Sequence, residues 1–191
     1  MRWLMLYARS RQAPASAAAL TLILLVVWAL TRGEEGLAAG PRIAALVLAA
    51  GVATAAVGLG GPDVALERTA AIRWAPRRAA HILLIGTLIG AGLMASQAAG
   101  SELAPAAFIV RDSAGMAGLA GLGAAVCGAS HAWVPLLGWV AFALFVPAPT
   151  GITGRIAGWP LLPPGTAAGT WTALILLIVG TILYAAAGPK R

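Results

Sequence analysis

Six apolar stretches occupy most of this chain, and its charges fall mainly in the gaps between them. They run roughly over Pro14–Leu30, Ile43–Gly60, His81–Ala98, Leu103–Cys127, Ala132–Val146 and Ala167–Ala187. A bilayer's hydrocarbon core is ~30 Å thick, and ~20 residues of helix cross it. With their flanks, most of the stretches approach that length. The pattern predicts an all-α integral membrane protein with six transmembrane helices. Hydrophobic residues make up 60% of the chain and charged residues 10%, whereas soluble domains carry about 25% charged residues. No polar run is long enough to fold as a soluble catalytic domain. The chain therefore reads as a single transmembrane domain: an interfacial segment over 1–13, spans one and two within 14–60, a loop over 61–80, spans three to six within 81–187, and a tail over 188–191.

Charge placement predicts the orientation. With the N-terminus inside, the cytoplasmic segments hold Arg2, Arg9, Arg11, Arg68, Arg73, Arg77, Arg78, Lys190 and Arg191. The outside loops hold Arg32, Arg42 and Arg155, the first two offset by Glu34 and Glu35. This excess follows the positive-inside rule and predicts both termini in the cytoplasm. A five-span count would leave Lys190 and Arg191 outside, against the rule. The net charge of +7 thus has a topological origin, and nucleic-acid binding is disfavoured because no basic soluble module exists. The segment after Met1–Ala13 reads as a retained span rather than a cleaved signal. Cys127 stands alone, which excludes an internal disulfide and a multi-cysteine metal site.

Two cytoplasmic segments carry information. In Met1–Ala13, Trp3, Leu4, Leu6 and Tyr7 interleave with Arg2, Arg9 and Arg11. A helix there has an apolar and a basic side, suited to the inner membrane interface. It fits either a topology anchor or an amphipathic elbow helix that touches a cytoplasmic partner. In the loop Gly61–Ala80, Pro62 suits a helix start, and Asp63 and Glu67 lie where the helix dipole favours acids. Val64 and Leu66 add apolar surface, and Pro76 is expected to break the helix ahead of Arg77 and Arg78. This segment reads either as a solvated hairpin loop or as a docking helix, with Asp63, Leu66, Glu67, Arg68 and Arg73 as the residues available to a cytosolic protein.

Two further segments lie within or beyond the membrane. Arg111, Asp112 and Ser113 interrupt the fourth stretch, and ionisable groups at membrane depth are functional candidates by default. Adjacent helical residues point roughly 100° apart, so Arg111 and Asp112 are not expected to pair with each other. Either they sit near the outer surface and snorkel, or they line a cavity or lock two helices together. Gly115, Gly118, Gly121 and Gly123 follow, a pattern that lets membrane helices approach closely, within one subunit or between subunits. The outer loop Pro147–Thr166 is rich in Pro and Gly. It reads either as a linker resting at the interface through Trp159 or as a re-entrant cap.

The chemistry that is missing narrows the function. His81 and His131 are the only histidines. Ser130 and His131 are adjacent near the inner surface, which suits a helix-end turn and not an intramembrane serine protease. There is no metal-ligand spacing and no phosphate-binding loop. The chain is expected not to be an enzyme and to bind no cofactor or metal itself.

The order of parts resembles the transmembrane (permease) subunit of an ATP-binding-cassette exporter of the type-2 efflux class. A basic N-terminal helix precedes six spans. The short charged segment PDVALERTAAIRWAPRR lies between spans two and three, the loop between spans four and five is tight, and a longer outer loop separates spans five and six. More narrowly, the chain resembles small actinobacterial membrane proteins with an LERTAA-type loop and a later span of the form RDSAGMAGLAGL followed by HAWVPLL. The resemblance implies that Asp63–Ala71 is a coupling helix docking a cytosolic nucleotide-binding ATPase subunit, with Glu67 and Arg68 in polar contact. It implies a homodimer, or a heterodimer with a similar chain, enclosing a pathway in the cell membrane. ATP and magnesium belong to the partner subunit. The slim outer loop favours lipid-like or small peptide cargo. The other reading is an accessory or scaffold subunit without its own pathway. A lipid-modifying enzyme is disfavoured, since no acid–base constellation is present.

Overall fold

The computed structural model describes residues 40–60, 74–98, 103–145 and 151–189. The expected first span Pro14–Leu30, the interfacial helix over Met1–Ala13 and the loop helix over Asp63–Ala71 lie outside these residues. Every regular element among the described residues is helical. Helix α1 is Pro41–Ala56, continued by a 3-10 turn at Val57–Leu59. Helix α2 is Trp74–Ala98 and α3 is Ala106–Cys127. A 3-10 turn at Ala129–His131 leads into α4, Trp133–Phe145. The short α5, Ile152–Ala157, and a 3-10 turn at Trp159–Leu161 precede α6, Ala167–Ala187.

Local sequence sets several of these boundaries. Pro41 occupies the first turn of α1, where its missing N–H has no intrahelical partner to lose. Pro76 lies inside α2, which already includes Trp74. The expected break ahead of Arg77 and Arg78 is therefore corrected: both belong to the same helix as Trp74 and Pro76. At the end of α3, Gly128 turns the chain with φ of 91°, a conformation open chiefly to glycine. Ser130 and His131 form the expected turn there.

Helix α3 is the axis of the bundle. It is buried along most of its length, from Phe108 to Ala124, and packs against α1, α2, α4 and α6. Successive long helices alternate in direction. At one end, Tyr184 of α6 donates its hydroxyl to the carbonyl of Leu59, 2.6 Å away. The Arg78 guanidinium lies against Gly188 there, and Gly60 meets Ala129. At the other end, Gln97 donates to Ala104 at 2.6 Å and Trp139 to Ala157 at 2.9 Å. These are called below the Arg77 end and the Trp159 end.

Three helices are long and apolar enough to cross a membrane: Pro41–Leu59, Trp74–Ala98 and Ala167–Ala187, of 19, 25 and 21 residues. At ~1.5 Å per residue they are about 28, 37 and 31 Å long, against a core of ~30 Å. Their outer faces are apolar too. Leu88 is 58%, Ile182 60% and Trp171 65% exposed, and so much uncovered apolar surface suits lipid, not water. Helix α3 has the length, with 22 residues, but Arg111, Asp112 and its glycines lower its hydropathy. Helix α4 has 13 residues, or about 20 Å, and gains the preceding turn to give the apolar helical run Ala129–Phe145.

Candidate functional site

Asp112 is the sole acidic residue among those described. It sits in the second turn of α3, fully buried, beside Arg111, which is 8% exposed. Arg111 Nε donates to Asp112 Oδ1 at 2.7 Å. The other two nitrogens reach across to the connector before α6: Nη1 donates to the Pro163 carbonyl at 3.0 Å and Nη2 to that of Leu162 at 2.8 Å. The guanidinium also lies 5.1 Å from the centre of the Phe108 ring. Gly169 makes room for it, since a Cβ there would come within 3.0 Å of Nη1.

This corrects the expectation that adjacent residues cannot pair. The 100° rule describes where the Cβ atoms point, whereas an arginine is long enough to fold back across its own helix. In an apolar interior an unpaired charge is so unfavourable that the side chain takes that route. Arg111 is held within the protein, against the connector. Of the readings open from sequence, the locking one fits its geometry, with a connector in place of a second helix.

The connector itself re-enters the bundle. Trp159 is fully buried, with its six-membered ring against Gly115 of α3. A Cβ on Gly115 would stand 2.6 Å from that ring and 2.9 Å from Ala173. Trp159 is therefore a wedge in a notch, not an anchor resting at the interface.

The glycines of α3 serve packing inside one chain. A Cβ on Gly118 would collide with the backbone of Leu176 and Leu177, and one on Gly180 with the backbone of Gly118. Gly121 faces Ile82 and Gly180, and Gly123 faces the Ala132 carbonyl. Ser113 belongs to the same packing on the opposite side. It donates to the Val110 carbonyl at 3.2 Å and sits over Gly90, while Ala117 sits over Gly86. Sequence reasoning missed Gly86 and Gly90, although their spacing of four is the usual signal for close helix approach. It also missed Gly180 and Tyr184. A lone glycine or tyrosine in an apolar span carries no periodic signal.

The docking candidates Asp63, Leu66, Glu67, Arg68 and Arg73 lie outside the described residues. The described flanks Gly60 and Trp74 both lie at the Arg77 end. Among the described residues no group of three or more His, Cys, Asp or Glu could hold a metal. Ser130 Oγ and His131 Nδ1 are 2.9 Å apart, but both residues are exposed. A catalytic pair needs a third group to orient the base, and Asp112, the one described acid, is occupied inside the bundle. The arrangement packs helices closely, and it assembles no catalytic constellation among the described residues. No protein-family model, curated protein or solved structure matches the chain.

Proposed function

We propose that this chain is the membrane-spanning subunit of an ATP-driven transporter in the cell membrane. It has six spans and both termini in the cytoplasm, and docks a cytosolic nucleotide-binding subunit through the segment between spans two and three. The observation that carries this reading is the sorting of connections between the two ends. Gly60, Trp74, the tight turn at 128–131 and Gly188 share the end that holds Arg77 and Arg78, which the positive-inside rule assigns to the cytoplasm. The long connector holding Trp159 lies at the other end. A docking loop on the basic end and a capped opposite face match the layout of an efflux subunit. The polar side chains of α3 are engaged within the bundle, so the pathway in this reading runs between two membrane subunits. ATP and magnesium stay with the partner.

A second reading, an accessory subunit with no pathway, draws support from one specific observation. The glycines of α3, which a transporter could present to a second subunit, are consumed inside a single bundle. Purification of the tagged full chain in gentle detergent separates the two. The transporter reading expects a stoichiometric soluble ATPase to co-purify. Charge reversal by Glu67→Lys with Arg68→Glu should abolish the stimulated ATP turnover while membrane insertion is retained. Co-purification with membrane proteins alone would favour the accessory reading, and undiminished turnover in the variant would remove the docking role from the loop.

A further inference from the structure

The connector between α4 and α6 has the parts of a lid. Two glycines bracket it, Gly151 with φ of 96° and Gly165 with φ of 85°. Neither would meet another atom within 4 Å if it carried a Cβ, so neither is wedged by side-chain packing; across Gly165, Thr166 donates its N–H and its hydroxyl to the Pro163 carbonyl. Between them the segment is held to the bundle at separate points. Trp159 fills the Gly115 notch, Trp139 donates to the Ala157 carbonyl, and the Arg111 fork holds the Leu162 and Pro163 carbonyls. The last of these grips consecutive carbonyls next to the Gly165 pivot. The closed arrangement is also incompletely satisfied. Asp112 Oδ2 and Trp159 Nε1 are buried without a hydrogen-bond partner, and both would gain one from water on opening.

We infer that residues 152–164 form a lid over the Trp159 end of α3, pivoting at Gly151 and Gly165, with Arg111 as its latch. Opening withdraws the Trp159 wedge and lets water reach Gly115 and Asp112. The inference does not depend on which cytosolic partner the chain binds. It makes Arg111 a positioning residue whose work is done through the connector backbone. Hinges of this kind absorb the backbone change while the packed helices stay fixed.

The test is thiol labelling of the full chain in lipid nanodiscs, with Cys127→Ser removing the native thiol. Ala173→Cys reports the space behind Trp159, since Ala173 is 2% exposed and faces Gly115. Leu136→Cys, also fully buried, reports the bundle away from the lid. A water-soluble maleimide should label both slowly in the latched protein. Arg111→Lys keeps the charge beside Asp112 but loses the planar fork on two carbonyls. Loss of such a charge-assisted bond should raise labelling at Ala173→Cys by about tenfold or more, with Leu136→Cys unchanged. The paired neutral variant Arg111→Gln with Asp112→Asn should do the same without leaving a lone charge. Unchanged labelling at Ala173→Cys in both variants would overturn the lid. So would an equal rise at both reporter positions, which would mean general loosening.

Discussion

A buried arginine is unfavourable unless its N–H groups are matched, and removing one member of a buried pair is worse than removing both. Arg111 spends its donors on Asp112, Leu162 and Pro163. Arg111→Met should therefore strand the Asp112 carboxylate and destabilise the protein by about 3–5 kcal/mol. Arg111→Met combined with Asp112→Leu should recover most of that loss, short of the two carbonyl bonds. Thermal unfolding in detergent measures both, and a double variant no more stable than the single one would show that the pair does not act as a unit. The sequence marked both residues as exceptional, because charges in an apolar run announce themselves. It did not reveal their partners. Two of these are backbone carbonyls some fifty positions away, and a backbone group has no sequence signature.

At the scale of elements, close approach decides the packing. The crossing of α3 and α6 brings Gly118 and Gly180 backbone to backbone, so an added methyl meets atoms that cannot rotate away. Gly118→Ala should destabilise by about 1–3 kcal/mol through overpacking, although alanine is the better helix former. Gly138 of α4 has open space around it, and there Gly138→Ala should be neutral or stabilising by up to about 1 kcal/mol. Opposite signs in one unfolding assay would isolate packing from propensity, and equal shifts would refute the close crossing. The glycine pattern of α3 was legible as helix-packing surface. Its assignment to α6, Trp159 and Ala132 was not, because spacing states that a helix can be approached and leaves open by what. The span boundaries of α1 and α6 followed from hydropathy with little error. That of α2 did not, since Pro76 reads as a breaker whereas one helix includes Trp74, Pro76, Arg77 and Arg78.

The whole molecule turns on whether α4 crosses the membrane. Its 13 residues reach about 20 Å, short of a ~30 Å core, and a short span is accommodated by local thinning or by burying its flanks. If α4 crosses, the turn at 129–131 and the lid at 152–164 lie on opposite sides, and the positive-inside bias puts the turn in the cytoplasm. Ser130 and Thr153 are both exposed and sit on either side of this one helix. In a Cys127→Ser chain, Thr153→Cys should react with a membrane-impermeant thiol reagent on intact cells, and Ser130→Cys only after permeabilisation. The reverse pattern would keep the crossing and invert the orientation. Reaction of both from outside would place them on one side, turning α4 into a re-entrant hairpin and changing the parity of the spans. The C-terminal Lys190 and Arg191 would then face the opposite side from the one their charge favours. The charge bias and the shortness of α4 therefore pull against each other at this helix. Labelling at these two positions decides which prevails, and with it whether the loop between α1 and α2 and the C-terminus share a compartment.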